Sequence, residues 1–348
     1  MQIIIRVDSS TPIGSGHLMR CLTLAERMRK EKNAEVHFIS RDLEGNLHDK
    51  ITAAGFLLHC LPRHPLDESL AGYNAWLTVP PAVDAEETKA TLREIGRVDR
   101  LVVDNYALDI SWERAMRSFV DEIFVIDDLA NRKHDCDVLL DQNFYLDMDS
   151  RYIGLVPDHC KLLLGPYYAL LREEFYKAKK HVRERTGKIH NILVFYGGSD
   201  NTNETIKALR ALALAGLEDV VVQVVVGGSN PHKEEIEAFC KRYPWMEFAC
   251  QVDNMAERMN AADLALGAGG STTWERCFLG LPAIVTAVAE NQVKGCEACA
   301  LEGWILYLGL WTDIDEDKLL RSLKRISLSS QLKVLQKISA GKEMQQFP

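Results

Sequence analysis

Gly14-Ser15-Gly16-His17 combines the residue types of an anion-binding loop with a base at its mouth. Two glycines let the backbone approach a ligand closely, and a helix start offers unsatisfied N–H donors to an anion. Imidazole is the side chain whose ordinary titration range includes working pH, so His17 is a candidate general base. A loop histidine with its hydrogen bonds satisfied is the plainer reading of the same residue.

Three further segments could hold a ligand: Asp104-Asn105-Tyr106, Gly197-Gly198-Ser199-Asp200, and the run from Gly269 to Glu275. The last is the best phosphate candidate. Consecutive glycines expose backbone N–H groups, and Ser271 and Thr272 add hydroxyls at a helix start. Glu275, one turn on, could accept both hydroxyls of a ribose; the same spacing makes it a capping-box partner of Thr272. Neither a Walker lysine nor GxGxxG spacing is present, which disfavours a P-loop kinase or a dinucleotide enzyme. Asn291 could cap a helix or touch a ligand.

Metal chemistry finds little support. No histidine spacing matches a metal motif, and Cys296-Glu297-Ala298-Cys299 has no second pair. Asp127-Asp128 and Asp141 invite a metal or paired-carboxylate reading, but Asp127 ends a predicted strand and Asn131-Arg132 follow, so a turn is preferred.

The elements that must position these residues alternate. Strands are predicted over 3–7, 35–40, 57–61, 100–104, 123–126 and 138–140. Helices are predicted over 17–30, 47–54, 84–95 and 111–119. After a charged run over 170–184, strands are predicted over 191–196, 220–226, 264–266 and 283–288. The helices there are 204–215, 231–243, 255–261, 272–279 and 291–303, and the rest is read as helical to near 341. Short apolar strands alternating with helices indicate βαβ units and parallel sheets. The expected organisation is an α/β chain of two Rossmann-like domains with parallel sheets facing across a cleft. The first spans 1–165, a crossover 166–187, the second 188–325, and a helical tail 326–348. Ligands are expected at the carboxyl ends of the strands.

Composition agrees. The chain has 348 residues, 47% of them hydrophobic, with a formal net charge of −9. The acidic balance without a basic stretch argues against nucleic acid as a partner. Met1 leading straight into a strand and nine scattered cysteines point to a reduced, cytoplasmic setting. No apolar run approaches the ~18 residues of a membrane span.

Several runs together resemble one family. They are Ile5-Arg6-Val7-Asp8-Ser9-Ser10 with Ile13 to His17; Val125-Ile126-Asp127-Asp128-Leu129-Ala130-Asn131-Arg132; Leu140-Asp141-Gln142-Asn143; Tyr168 to Phe175; Gly269 to Arg276; and Ala289-Glu290-Asn291-Gln292. The chain closely resembles the UDP-sugar hydrolases of pseudaminic acid biosynthesis, which are similar to the MurG-type glycosyltransferases of GT-B fold. The resemblance implies hydrolysis of UDP-2,4-diacetamido-2,4,6-trideoxy-β-L-altropyranose at C1 with inversion, giving UDP and the free sugar, without metal or cofactor. It implies His17 as the base that activates water, and UDP binding at Gly270, Ser271, Thr272, Glu275 and Asn291. Asp8 is expected to orient His17 or hold a sugar hydroxyl, and Asn105 and Tyr106 to meet the sugar. Gly14, Gly16, Gly198 and Ser199 are expected to line the substrate, and Arg172 either to face it or to pair with Glu173 or Glu174. The competing readings are a UDP-sugar glycosyltransferase, a non-hydrolysing epimerase and a non-catalytic nucleotide-sugar sensor.

Overall fold

The computed structural model describes residues 1–217 and 219–340, so the last eight positions of the expected tail lie outside the described residues. The chain forms two compact units. One is Met1–Asn143 with Asp147–Leu170; the other is Phe144–Leu146 with the chain from Leu171 onward.

The first unit is built on a seven-stranded sheet of β1 (Gln2–Val7), β2 (Glu35–Arg41), β3 (Leu57–Leu61), β4 (Val98–Asp104), β5 (Val120–Ile126), β6 (Val138–Asp141) and β7 (Lys161–Leu164). All neighbours are parallel, in the order β3-β2-β1-β4-β5-β6-β7. Ile3, Ile4 and Ile5 are fully buried, as a strand covered on both faces requires. Strand order reverses between β1 and β4. Open α/β sheets bind ligands at such a switch point. The register Val7↔Asp104 puts the loops after these two strands side by side.

A buried ionic knot fixes this region. Arg6, on β1, donates to Asp8 at 2.6 Å and to Asp84 at 2.7 Å. Arg41, on β2, also reaches Asp84 at 2.7 Å, and the Trp112 indole donates to it at 3.0 Å. Asp84 lies on the helix Pro81–Ile95 and Trp112 on the helix Ile110–Met116, so one carboxylate joins two strands to two helices. Four neighbouring strands, β1, β4, β5 and β6, finish at an aspartate: Asp8, Asp104, Asp127 and Asp141. Each is met by an arginine, respectively Arg6, Arg20, Arg132 and Arg151.

The second unit carries β8 (Asn191–Phe195), β9 (Val221–Val226), β10 (Met246–Cys250), β11 (Leu264–Ala268), β12 (Ala283–Ala287) and β13 (Leu306–Leu310). They form a parallel sheet in the order β10-β9-β8-β11-β12-β13, reversing between β8 and β11. The glycine loops after these two strands therefore share a switch point. Gly227 follows β9, and a Cβ there would stand 2.1 Å from the Gly198 carbonyl oxygen. Gly227→Ala is expected to cost about 1–3 kcal/mol, as overpacking does. A chemical-denaturation midpoint checks it; an unshifted midpoint would show that the 197–200 loop yields freely.

Three strands were not anticipated: β7, β10 and β13. The last corrects the expectation that the chain is helical after residue 303. β13 is a half-buried edge strand whose Gly309 sits at φ +128° beside a register shift, which blurs its alternation. The charged run over 170–184 also does more than cross. It forms the helix Glu173–Lys179, and Arg185 just beyond it is buried, donating to the carbonyls of Met259, Ala262, Leu279 and Gly280. These carbonyls end the helices Met255–Ala261 and Thr272–Phe278, so the arginine satisfies groups that helix ends leave open. Burial lowers its guanidinium to about 10. Among the described residues no helix is long and apolar enough to cross a membrane.

Candidate functional site

In the first unit, Gly14 adopts φ +77° and its N–H bonds the Ser10 carbonyl at 2.8 Å, closing a turn that a side chain would strain. A Cβ on Gly14 or Gly16 would meet nothing within 4 Å, so the loop keeps an open side. The helix Gly16–Lys32 starts there and makes His17 its second residue.

His17 Nδ1 lies 2.6 Å from Asp104 Oδ1. Arg20, one turn along the same helix, grips Asp104 through Nε and Nη2, both at 2.6 Å. Burial alone would raise the Asp104 carboxyl, but Arg20 and His17 hold it well below the usual carboxylate range. An anionic Asp104 accepts from Nδ1–H and leaves Nε2 as the basic nitrogen. Arg20 Nη2 is also 3.1 Å from Nδ1, but both are donors in this arrangement, and the shorter carboxylate contact assigns the proton. Tyr106 packs edge-on to the imidazole at 4.6 Å between ring centres, and Trp76 at 5.7 Å. Tyr73 lies 5.0 Å from Tyr106, completing an aromatic wall.

The structure corrects three assignments here. Asp8 does not orient His17; its Oδ1 accepts from Arg6 and the Arg41 amide, and its Oδ2 from Asn105. Asn105 spends its amide on Asp8 and on the Ala107 N–H, so its side chain is structural rather than turned to a sugar. The Tyr106 hydroxyl is buried on Asp128, leaving only its ring to face the site. Asp127 makes the expected turn, accepting from the Ala130 N–H at 2.9 Å.

In the second unit, Gly269 and Gly270 follow β11. A Cβ on Gly269 would stand 2.2 Å from Cys296 Sγ, so glycine is required for close packing. Arg276 is buried beneath the loop and donates to the Ala268 carbonyl at 2.8 Å and to Thr273 Oγ1 at 3.0 Å. Ser271 is exposed and makes no cap hydrogen bond at the start of the helix Thr272–Phe278. The capping box is absent: Glu275 Oε1 instead accepts from Arg172 Nη2 at 3.1 Å, and its buried Oε2 has no partner. Burial raises the Glu275 carboxyl, with Arg172 opposing. Arg172 also pairs with Glu174 at 2.5 Å, the structural pairing expected of it, and the contact with Glu275 was not anticipated. Asn291 caps nothing; it is exposed, and Gln292 Oε1 takes the Val288 N–H at 3.0 Å. Gly198 accepts from the Ser229 hydroxyl, Ser199 is half-buried, and Asp200 caps the helix Glu204–Ala215 through the amides of Glu204 and Thr205.

Arg20, Trp76, Tyr73 and the orienting role of Asp104 escaped the sequence reading. Arg20 lies at i+3 from His17, one helical face, which was a usable signal. Among the described residues no group of three or more His, Cys, Asp or Glu could hold a metal ion.

Comparison with known proteins agrees with this layout. Residues 191–345 match the glycosyltransferase family 28 C-terminal domain. Over 312 residues the chain is 26% identical to the UDP-2,4-diacetamido-2,4,6-trideoxy-beta-L-altropyranose hydrolase of Campylobacter jejuni, covering 87% of this chain and 98% of that one. It is 30% identical over 299 residues to the uncharacterized protein MJ1062 of Methanocaldococcus jannaschii, covering 84% of this chain but spanning only 57% of that protein's length. Among solved structures, Acinetobacter baumannii MurG matches with a TM-score of 0.64 at 13% identity, over 99% of this chain and 97% of its own. The fold is α/β of GT-B type, and the resemblance to the UDP-sugar hydrolase stands.

Proposed function

We propose that this chain, with its GT-B fold, its match to the family 28 C-terminal domain and its similarity to a UDP-sugar hydrolase, hydrolyses UDP-2,4-diacetamido-2,4,6-trideoxy-β-L-altropyranose at C1. The observation that carries the reading is the Asp104–His17 pair at 2.6 Å, with Nε2 left as base. His17 Nε2 takes a proton from water as the oxygen attacks C1. The bond from C1 to the β-phosphate oxygen breaks, and its electron pair leaves with UDP. Asp104 stabilises the imidazolium through Nδ1–H. Glycosidases protonate an alkoxide leaving group; UDP leaves as a stable anion, so one base suffices. Attack from the face opposite UDP inverts C1. Backbone N–H groups around Gly270, Ser271 and Thr272 would meet the growing charge on the diphosphate. Asn291, exposed, and Ser199, half-buried, would add donors, and Gly14, Gly16 and Gly198 would allow close backbone approach. Glu275 would accept the ribose hydroxyls in competition with Arg172.

The fold and the family 28 match equally suit a glycosyltransferase, in which an acceptor hydroxyl replaces water. Incubation with the UDP-sugar in H2(18)O, without acceptor, decides between them by NMR and mass spectrometry. Equimolar UDP and free sugar, with the label in the sugar, is the expected result. Turnover only after an acceptor is added would mean a transferase, UDP without free sugar accumulation in either case would exclude hydrolysis, and binding without turnover would mean a sensor. Glu275→Ala is expected to weaken UDP binding by calorimetry roughly 10- to 100-fold, the worth of hydrogen bonds to a charged group. Unchanged affinity would remove Glu275 from the site.

A further inference from the structure

Of the adjacent pair Asp127-Asp128, only the first makes the turn. Asp127 takes the Ala130 N–H and the Arg132 guanidinium. The Asp128 side chain is not needed for that bend and points elsewhere: Oδ1 accepts the Tyr106 hydroxyl, and Oδ2 accepts from Arg20 Nη1 at 3.3 Å and from Asn143 Nδ2 at 3.1 Å. The Asp128 backbone is itself pinned, since its carbonyl accepts from Arg151 Nη2 at 2.7 Å. Tyr106 and Arg20 are the two groups that flank the candidate base. Tyr106 lies edge-on against the His17 ring, and Arg20 holds the Asp104 carboxylate bonded to Nδ1.

We propose that Asp128 is a positioning residue for His17, fixing the imidazole from both sides through Tyr106 and Arg20. The proposal rests on the reading of His17 as the general base. Tyr106 is 5% exposed, and a phenol buried that deeply needs an acceptor. With Asp128 present the ring has one seat. Without it the hydroxyl must seek water, and the ring leaves the edge of His17. Arg20 keeps both bonds to Asp104 but loses the anchor of its Nη1, so the guanidinium that holds the carboxylate is itself fixed at one end only. Misplacement of a catalytic group by about 1 Å costs up to roughly 100-fold in rate. Asp128 does not touch Nε2, where the water would lie, so the loss belongs in kcat.

The test is a double-mutant cycle. Asp128→Ala and Tyr106→Phe are each expected to lower kcat for UDP-sugar hydrolysis by roughly 10- to 100-fold, with KM within about 3-fold. The double variant should be no slower than the worse single one by more than about 3-fold, because both remove the same support. Asp109→Ala, which deletes the cap of the helix Ile110–Met116, is the control for a general loss of stability and should keep kcat. In the enzyme labelled with 15N-histidine, the wild-type His17 ring should carry its proton on Nδ1, and Asp128→Ala should give a mixture of tautomers. Multiplying losses, a loss carried by KM, or an unaltered ring signal would overturn the proposal. Hydrolysis surviving in His17→Ala would instead defeat the reading of His17 as base, and the ring signal would still decide whether Asp128 sets its position.

Discussion

His17→Ala is expected to lower kcat for release of UDP by about 10²- to 10⁴-fold, the usual share of a positioned general base. The variant should fold. His17 lies at the edge of the loop, and the Asp104 carboxylate it leaves behind keeps both bonds from Arg20. UDP affinity should stay close to wild type, because the expected nucleotide contacts belong to the glycine loop of the second unit. Steady-state release of UDP, with calorimetric titration of UDP as the companion, separates the two effects. If UDP binding collapsed along with the rate, the histidine would be a ligand contact or a structural group. If the rate survived, another group would have to activate water.

The largest stability effect is expected at Asp84. Asp84→Ala leaves Arg6 and Arg41 charged, fully buried and short of their shared acceptor, and strips the Trp112 indole of its partner. Removing one side of a buried ionic group costs about 3–5 kcal/mol. A chemical-denaturation midpoint measures it, and a change below about 1 kcal/mol would mean that water or rearranged side chains take over. The pH dependence follows in sign. Burial opposes ionisation of Asp84, but Arg6 and Arg41 win and hold its carboxyl below the usual range. Its contribution is therefore complete above the unfolded value near ~4 and is lost as pH falls through the lower folded value. The variant should show less of this acid sensitivity than the wild type.

The parallel strands were legible because covered strands read as near-continuous apolar runs: Ile3-Ile4-Ile5, and Val221 to Val226 with only Gln223 interrupting, announce themselves. β13 did not, although Trp304 to Leu308 is apolar throughout, because a short apolar run cannot be told from a buried helix segment by periodicity alone. Nor did the short helical turn Gly72–Leu77, which brings Trp76 and Tyr73 to His17. The glycine loops and His17 were legible because their conformational demands are local. The partner of His17 was not, because Asp8 and Asp104 both end strands beside it, and only the strand order and rotamers assign Asp8 to the arginine knot and Asp104 to the imidazole. Glu275 shows the same limit, since a spacing suited to a capping box is used for an ion pair with Arg172.

The strand-ending aspartates and their arginines are almost wholly withdrawn from water. Dissolved salt screens charges it can surround and has little hold on charges sealed inside. The arrangement around His17 is therefore insulated from the ionic strength of its surroundings. Each of these strand ends also carries its own arginine, so the carboxylates crowded there are balanced within the fold although the chain as a whole has a net charge of −9.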